Sequence, residues 1–407
     1  MSNKNILRIL LSIFLIRLAL ALLPSFHVDM GAWLAWAERL TTMGLARFYS
    51  DEVWTQYTPG FLYWLYFVGK LGLVTPLAIK IPVIICDMLT GYLIWKVVKK
   101  TNITWANILF VSYILSPIAI FDGSIWGQID GILTLCMFLA SYLLIEKNNY
   151  YVSWIVAGLA FLVKPQAIAI FPVLFVLTIA RFGWKKMLGS GILSIVVVLI
   201  GFLPFYRTNP IYGMWDLVQK MGESYPYTSL FAFNIWGYFG MWQLDSALWM
   251  GQSYFVWGTI MMGMAYLLLL MRYRKYLAKN SEAYLLFALA CLIFFLFPTR
   301  VHERYLFPMF AYLITYVGMK RSRWLLGITA VSMIIYLLNL YLPYSNYEQL
   351  SNPLKNIKLE NIIQGLTPIL SIFQIGVLII LGLFPTGNQP KNSIKVAMGK
   401  RETIEHG

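Results

Sequence analysis

One carboxylate and a scattered set of cations carry most of the chemistry open to this chain. Asp29 stands in His27-Val28-Asp29, directly after the first apolar run. Lys164 lies in Lys164-Pro165-Gln166 between two short apolar runs, and Arg300-Val301-His302-Glu303-Arg304 puts four ionisable groups into five residues between two more. A carboxylate can take the proton of an attacking hydroxyl, and fixed cations can hold an anion that leaves. Charge in or beside hydrocarbon is costly, so its retention there points to function. A lysine at that depth calls for a protein carboxylate or a ligand phosphate, unless it snorkels to the surface. For Asp29 the plain alternative is that it caps the helix it precedes.

Those residues need a membrane to position them. Of 407 residues 59% are hydrophobic and only 12% charged, which is the composition of an all-α integral membrane protein. The run 6–23 has Lys4 before it and Arg8 near its start and lacks a small-residue cleavage site, so it reads as a retained helix with its start in the cytoplasm. A net charge of +15 would suit nucleic acid, but its distribution argues against that partner. Lys and Arg cluster between apolar runs, at Lys96, Lys99 and Lys100, at Arg181, Lys185 and Lys186, near 272–279, near 320–323 and over 391–401. This is the positive-inside pattern of a polytopic protein. Cys86, Cys136 and Cys291 sit in apolar segments without a second ligand at metal spacing, and read as core residues.

Apolar runs predict crossings at 6–23, 77–96, 103–121, 129–146, 150–164, 165–180, 187–205, 252–271, 282–298, 304–319, 323–342 and 363–384. That makes about twelve transmembrane helices with both termini cytoplasmic, in a single membrane domain over 1–407. The larger outer loops are 24–76 and 206–251, with a smaller one at 343–362. The run 59–74 is left out because its crossing would turn every later basic loop outward; it reads as interfacial or re-entrant. Trp33, Trp36, Ala37, Leu40 and Met43 recur at helical spacing and predict a second interfacial helix in the same loop. The embedded Arg17 and Asp87 are expected to pair.

Charge parity then puts Asp29, Asp130, Lys164, Arg300, His302 and Arg304 on the outer face. Beside them lie Gln56-Tyr57-Thr58-Pro59-Gly60 and the turn 122–130, whose Gln128 and Asp130 suit sugar hydroxyls. Asn234 lies in the run 231–237, whose aromatics also suit interface anchoring. The outer face of a cell membrane has no nucleotide-sugar pool, so sugar transfer there draws on a lipid-linked donor. Direct inversion needs one carboxylate base, because the phosphate leaves already ionised.

The ordered set His27-Val28-Asp29, Phe48-Tyr49, Gln56-Tyr57-Thr58-Pro59-Gly60, Lys80-Ile81-Pro82 with Asp87, Trp126-Gly127-Gln128-Ile129-Asp130, Lys164-Pro165-Gln166, Phe233-Asn234-Ile235-Trp236 and His302-Glu303-Arg304 resembles the glycosyltransferase C superfamily. The likeness is to prokaryotic multi-pass enzymes that use polyprenyl- or dolichyl-phosphate sugars. It implies an inverting hexosyl transfer, of mannose or glucose, from a polyprenyl-phosphate donor to a glycolipid, glycan or protein acceptor on the extracytoplasmic face. It implies Asp29 as catalytic base, and Lys164, Arg300, His302 and Arg304 around the donor phosphate. Gln56, Tyr57, Gln128, Asp130 and Asn234 would be substrate-facing. Relatives carry an acidic residue before Tyr-Pro-Pro where this chain has Gln56-Tyr57-Thr58-Pro59, so no metal and no other cofactor is expected, and Asp51 and Glu52 have no assigned role. The rival readings are a transporter or flippase of lipid-linked sugars and an envelope polysaccharide polymerase or ligase. A transporter predicts polar groups on both faces and internal repeats, and neither is visible.

Overall fold

The computed structural model describes residues 3–49, 53, 55 and 57–383, so Asp51, Glu52, Gln56 and the basic 391–401 stretch lie outside the described residues. Its helices are α1 (Asn3–Leu20), α2 (His27–Met43), α3 (Pro59–Lys70), α4 (Pro76–Val98), α5 (Ile103–Ile114), α6 (Pro117–Ala119), α7 (Asp130–Lys147), α8 (Tyr150–Val163), α9 (Phe171–Phe182) and α10 (Trp184–Phe202). There follow α11 (Pro210–Ser224), α12 (Ile235–Phe239), α13 (Tyr254–Tyr273), α14 (Asn280–Leu296), α15 (Phe307–Lys320), α16 (Arg323–Tyr347) and α17 (Ile357–Leu383). A π-helical turn, Ile120–Trp126, continues α6, and a 3-10 turn, Pro165–Ile170, precedes α9. Proline at the start of α3, α4, α9 and α15 suits a position whose N–H has no helical partner. Asn102, Asn149, Ser253 and Ser322 cap other helices through their side-chain oxygens.

Each apolar run predicted to cross is helical over most of its described length. Among the described residues, seven helical segments are long and apolar enough to span a membrane. The core is built on α14 and α15, buried along almost their whole length and packed on each other and against α4, α7 and α16. At 12 residues α3 is about 18 Å long, too short for a hydrocarbon layer of about 30 Å, and it packs on α2. The predicted apolar face of α2 is buried at Trp33, Trp36, Ala37 and Leu40, while Met43 is exposed. Arg17 and Asp87 form the expected buried pair, Nη2 to Oδ2 at 2.7 Å.

Four two-residue strands shape the segment 225–253. β1 (Ser229–Leu230) pairs in parallel with β4 (Val301–His302), and β2 (Leu248–Trp249) pairs antiparallel with β3 (Gln252–Ser253). Backbone bonds from Arg300 N to Tyr227 O, Thr228 N to Gln243 O and Trp242 N to Ser229 O lock three stretches of chain side by side.

Candidate functional site

Asp29 is the third residue of α2, not its cap, because Phe26 precedes the helix and gives no side-chain cap. Its Oδ2 accepts from Trp126 Nε1 at 2.8 Å and from Gln128 Nε2. Both donors come from the end of the π turn, where Gly127 has φ +93°. Only glycine adopts that backbone freely, and a Cβ there would lie 2.8 Å from Met30 of α2. Asp29 Oδ1 has no hydrogen-bond partner among the described residues, and the carboxylate lines a cavity of about 280 Å³.

Gln128 bridges Asp29 to Lys164. Its Oε1 accepts from Lys164 Nζ at 3.0 Å, and the same ammonium donates to Asp130 Oδ1 at 2.8 Å. Proline at 165 forces Lys164 out of helical geometry (φ −152°, ψ 135°), which ends α8 and turns the side chain into the break before α9. Tyr57 comes alongside because α3 starts against the end of α8, and a Cβ on Gly60 would meet the Leu162 carbonyl at 2.4 Å. A second cavity of about 70 Å³ is lined by Lys164, Arg300, His302 and Arg304. The two cavities share Tyr57, Tyr225, His302 and Arg304 as a common wall.

Within the 300–304 run the cations have different roles. Arg300, at φ +63°, donates Nε to Asp245 Oδ2 at 2.6 Å and Nη2 to Oδ1 at 3.2 Å, and Nη1 reaches the Gly222 carbonyl. It lines the smaller cavity as a strut between α11 and the strand region. Arg304 donates Nη1 to Glu303 Oε1 at 2.8 Å, while its buried Nε has no partner among the described residues. Burial, and then Arg304, push His302 below the ordinary imidazole range, so the ring is neutral near pH 7. Burial alone would raise the Glu303 carboxyl, but the Arg304 guanidinium, bonded to it at 2.8 Å, and the His302 ring nearby outweigh it and hold the carboxyl below the usual range.

The start of α2 is fixed from the far end of the chain. Glu348 Oε1 accepts the His27 backbone N–H at 3.0 Å and lies 3.1 Å from its Nδ1, while Asn352 donates to Oε2. Glu348 thereby satisfies one of the N–H groups that a helix start leaves open, two residues from Asp29. Glu348→Ala is expected to lower kcat about tenfold to a hundredfold with donor KM unchanged, since small misplacements of a reacting group cost that much. Glu348→Gln keeps an acceptor for the N–H and should retain most turnover. Kinetics normalised to folded protein check this, and equal losses in both variants would remove the capping role.

Asp29, Tyr57, His302 and Arg304 therefore line the larger cavity and Lys164 the smaller one, while Gln128 and Asp130, expected to face substrate, are buried, line neither cavity and hold Asp29 and Lys164 through hydrogen bonds. Asn234 does not join them. Its Oδ1 accepts from Gly237 N at 2.9 Å and caps α12, away from both cavities. Gln56 lies outside the described residues. Sequence reasoning missed Asp245 and Glu348, which act through contacts 55 and 321 residues apart. It also missed the aromatic walls of the larger cavity, formed by Trp33 and Trp36 on one side and Phe231, Trp242 and Tyr347 on the other.

Residues 56–207 match the family described as dolichyl-phosphate-mannose-protein mannosyltransferase, a segment that holds Tyr57, Gln128, Asp130 and Lys164. No curated protein matches the chain by sequence. Among solved structures, the crystal structure of ArnT from Cupriavidus metallidurans bound to undecaprenyl phosphate has a similar fold. The TM-score is 0.58 at 14% identity, over 98% of this chain and 80% of that one. At that identity the likeness is one of fold. The chain is thus similar in sequence to a family of lipid-phosphate-sugar mannosyltransferases over the matched segment, and in fold to ArnT over nearly its whole length, as the resemblance led one to expect.

Proposed function

We propose that this chain, a multi-pass membrane protein of glycosyltransferase C type, moves a hexose from a polyprenyl-phosphate carrier to an acceptor hydroxyl with inversion. The observation that carries this is an open carboxylate oxygen in the larger cavity and the cations Lys164 and Arg300 in the adjoining smaller one, with Arg304 lining both. The acceptor oxygen attacks the anomeric carbon from the larger cavity, and its proton passes to Asp29 Oδ1. The bond from that carbon to the phosphate oxygen breaks, and its electron pair leaves with the polyprenyl phosphate. Lys164 and Arg304 stabilise that charge from the smaller cavity. In-line displacement requires base and leaving group on opposite faces of the sugar, and the two cavities offer those positions.

The matched family acts with dolichyl-phosphate mannose, and the similar fold was solved with undecaprenyl phosphate; both support a lipid-phosphate donor. Mannose or glucose is the hexose, and the site faces the extracytoplasmic side in a chain of about twelve crossings with both termini cytoplasmic. The test uses the purified protein in lipid nanodiscs with polyprenyl-phosphate mannose or glucose labelled in the sugar, and membrane extract as the source of acceptor. The expected result is label in a product of inverted anomeric configuration, with one polyprenyl phosphate released per sugar moved. Retained configuration, or no release with either donor, overturns the reading.

A further inference from the structure

The larger cavity contains more aromatic surface than a base and a leaving group require, and two of its rings are held in a backbone conformation that bulky residues avoid. Phe231 has φ +63° and Trp242 has φ +59°. Left-handed backbone is a strained state for such side chains, kept only where the surroundings over-determine it, and such strain gathers at ligand clamps. Here the surroundings do determine it. Trp242 N donates to Ser229 O, and Phe231 O accepts from Asn339 Nδ2 at 2.6 Å. Phe231 also bridges to His302 across the small sheet. The two rings meet edge to face at 5.3 Å, and Phe231 continues to Tyr347 at 5.8 Å.

We infer that Phe231 and Trp242 form a stacking platform for a pyranose ring of the acceptor, so that the acceptor is a saccharide and not a peptide. The inference rests on the proposed transfer reaction for its orientation. Trp242 lines the larger cavity and not the smaller one, so it lies with Asp29 on the side from which an acceptor must come. It is 36% exposed, so an incoming ring can reach its face. A pyranose presents a face of axial C–H groups to an aromatic ring and a rim of hydroxyls to polar neighbours. Asp29 and Glu303 on the same lining can accept from those hydroxyls. A peptide hydroxyl would need open backbone donors and acceptors along an extended groove. The cavity of about 280 Å³ is lined largely by rings instead, and its volume lies near the lower end for small-ligand sites.

The experiment reads binding without turnover, so that its failure is distinct from failure of the transferase reading. Saturation-transfer NMR is recorded on the full-length protein in nanodiscs with methyl glycosides of mannose, glucose, galactose and N-acetylglucosamine, and separately with a serine- and threonine-containing peptide. At least one glycoside is expected to receive saturation, strongest at its ring C–H protons. Trp242→Leu, which keeps apolar bulk and removes the π face, should cut that transfer at least fivefold, and Trp242→Tyr should restore most of it. If Trp242→Leu fails to fold, Trp242→Phe and Phe231→Leu carry the same comparison. A glycolipid arm, with the best sugar on a lipid anchor in the nanodisc, tells a free glycan from a membrane-borne one. Transfer to no glycoside, equal transfer in the Leu and Tyr variants, or transfer to the peptide alone overturns the inference.

Discussion

Asp29→Asn keeps the fold and lowers kcat for sugar transfer by about 10²- to 10⁴-fold, the range that a positioned general base contributes. The fold survives because the amide is the same shape as the carboxylate. Its oxygen takes the place of Oδ2 and still accepts from Trp126 Nε1 and Gln128 Nε2. Chemistry fails because an amide oxygen cannot take the acceptor's proton. Donor KM should stay near the wild-type value, since the hydrogen bonds of Asp29 go to Trp126 and Gln128 and not to the phosphate-holding cations. A loss in kcat with unchanged KM is the signature of an interaction made only in the transition state. Asp29→Glu is nearly as damaging, because one added methylene pushes the carboxylate past Oδ1's position by more than a reacting pair tolerates. Both variants are read by release of labelled sugar from polyprenyl-phosphate hexose, with monodispersity as the control for folding. Wild-type-like turnover by well-folded Asp29→Asn would sink the assignment.

The parts of this site legible in the sequence are those written in charge. Asp29, Lys164, His302 and Arg304 stand out because ionisable groups beside apolar runs are rare, and charge parity sorted them to one face before any contact was known. Gln128 and Asp130 followed from their place beside a Gly-containing turn, and the structure gives Gln128 the bridging role between Asp29 and Lys164. Helix positions were legible for the same reason, since a long apolar run in lipid has few alternatives to a helix. Pairings that cross the chain were not legible. Nothing near Arg300 in sequence announces that Asp245 occupies its guanidinium, and nothing near His27 announces Glu348. The aromatic walls were hidden by their abundance. With 15 Trp, 26 Tyr and 26 Phe, the few that face the cavity look like interface anchors until the backbone at Phe231 and Trp242 sets them apart.

Removing Arg304 should damage donor use more than removal of any other cation in the site, and the reason lies in how the charges are already matched. Lys164 is paired with Asp130, Arg300 with Asp245 and Arg304 with Glu303. Each of these cations has an acidic mate before a donor arrives, and neutral His302 adds no charge. Net charge therefore gives the phosphate little, and the attraction must come from donor groups left open. Arg304 Nε is such a group, buried and without a partner among the described residues, on a side chain that lines both cavities. A buried N–H that meets an acceptor only when the phosphate binds is worth about 10²- to 10³-fold when it is aimed at developing negative charge. Arg304→Met should lower kcat/KM for the lipid-phosphate sugar by that factor. It also strands Glu303 as an unpaired buried charge, which destabilises a fold by about 3–5 kcal/mol. The double variant Glu303→Gln/Arg304→Met removes that penalty and should recover thermal stability without recovering donor use. Arg304→Lys keeps the charge but loses the planar fork and the Nε donor, so it should remain at least tenfold impaired. Steady-state kinetics with varied donor, set against unfolding temperatures of the same samples, separates the two effects. If donor kcat/KM returns in the double variant, Arg304 acts on stability alone and the phosphate is held by Lys164.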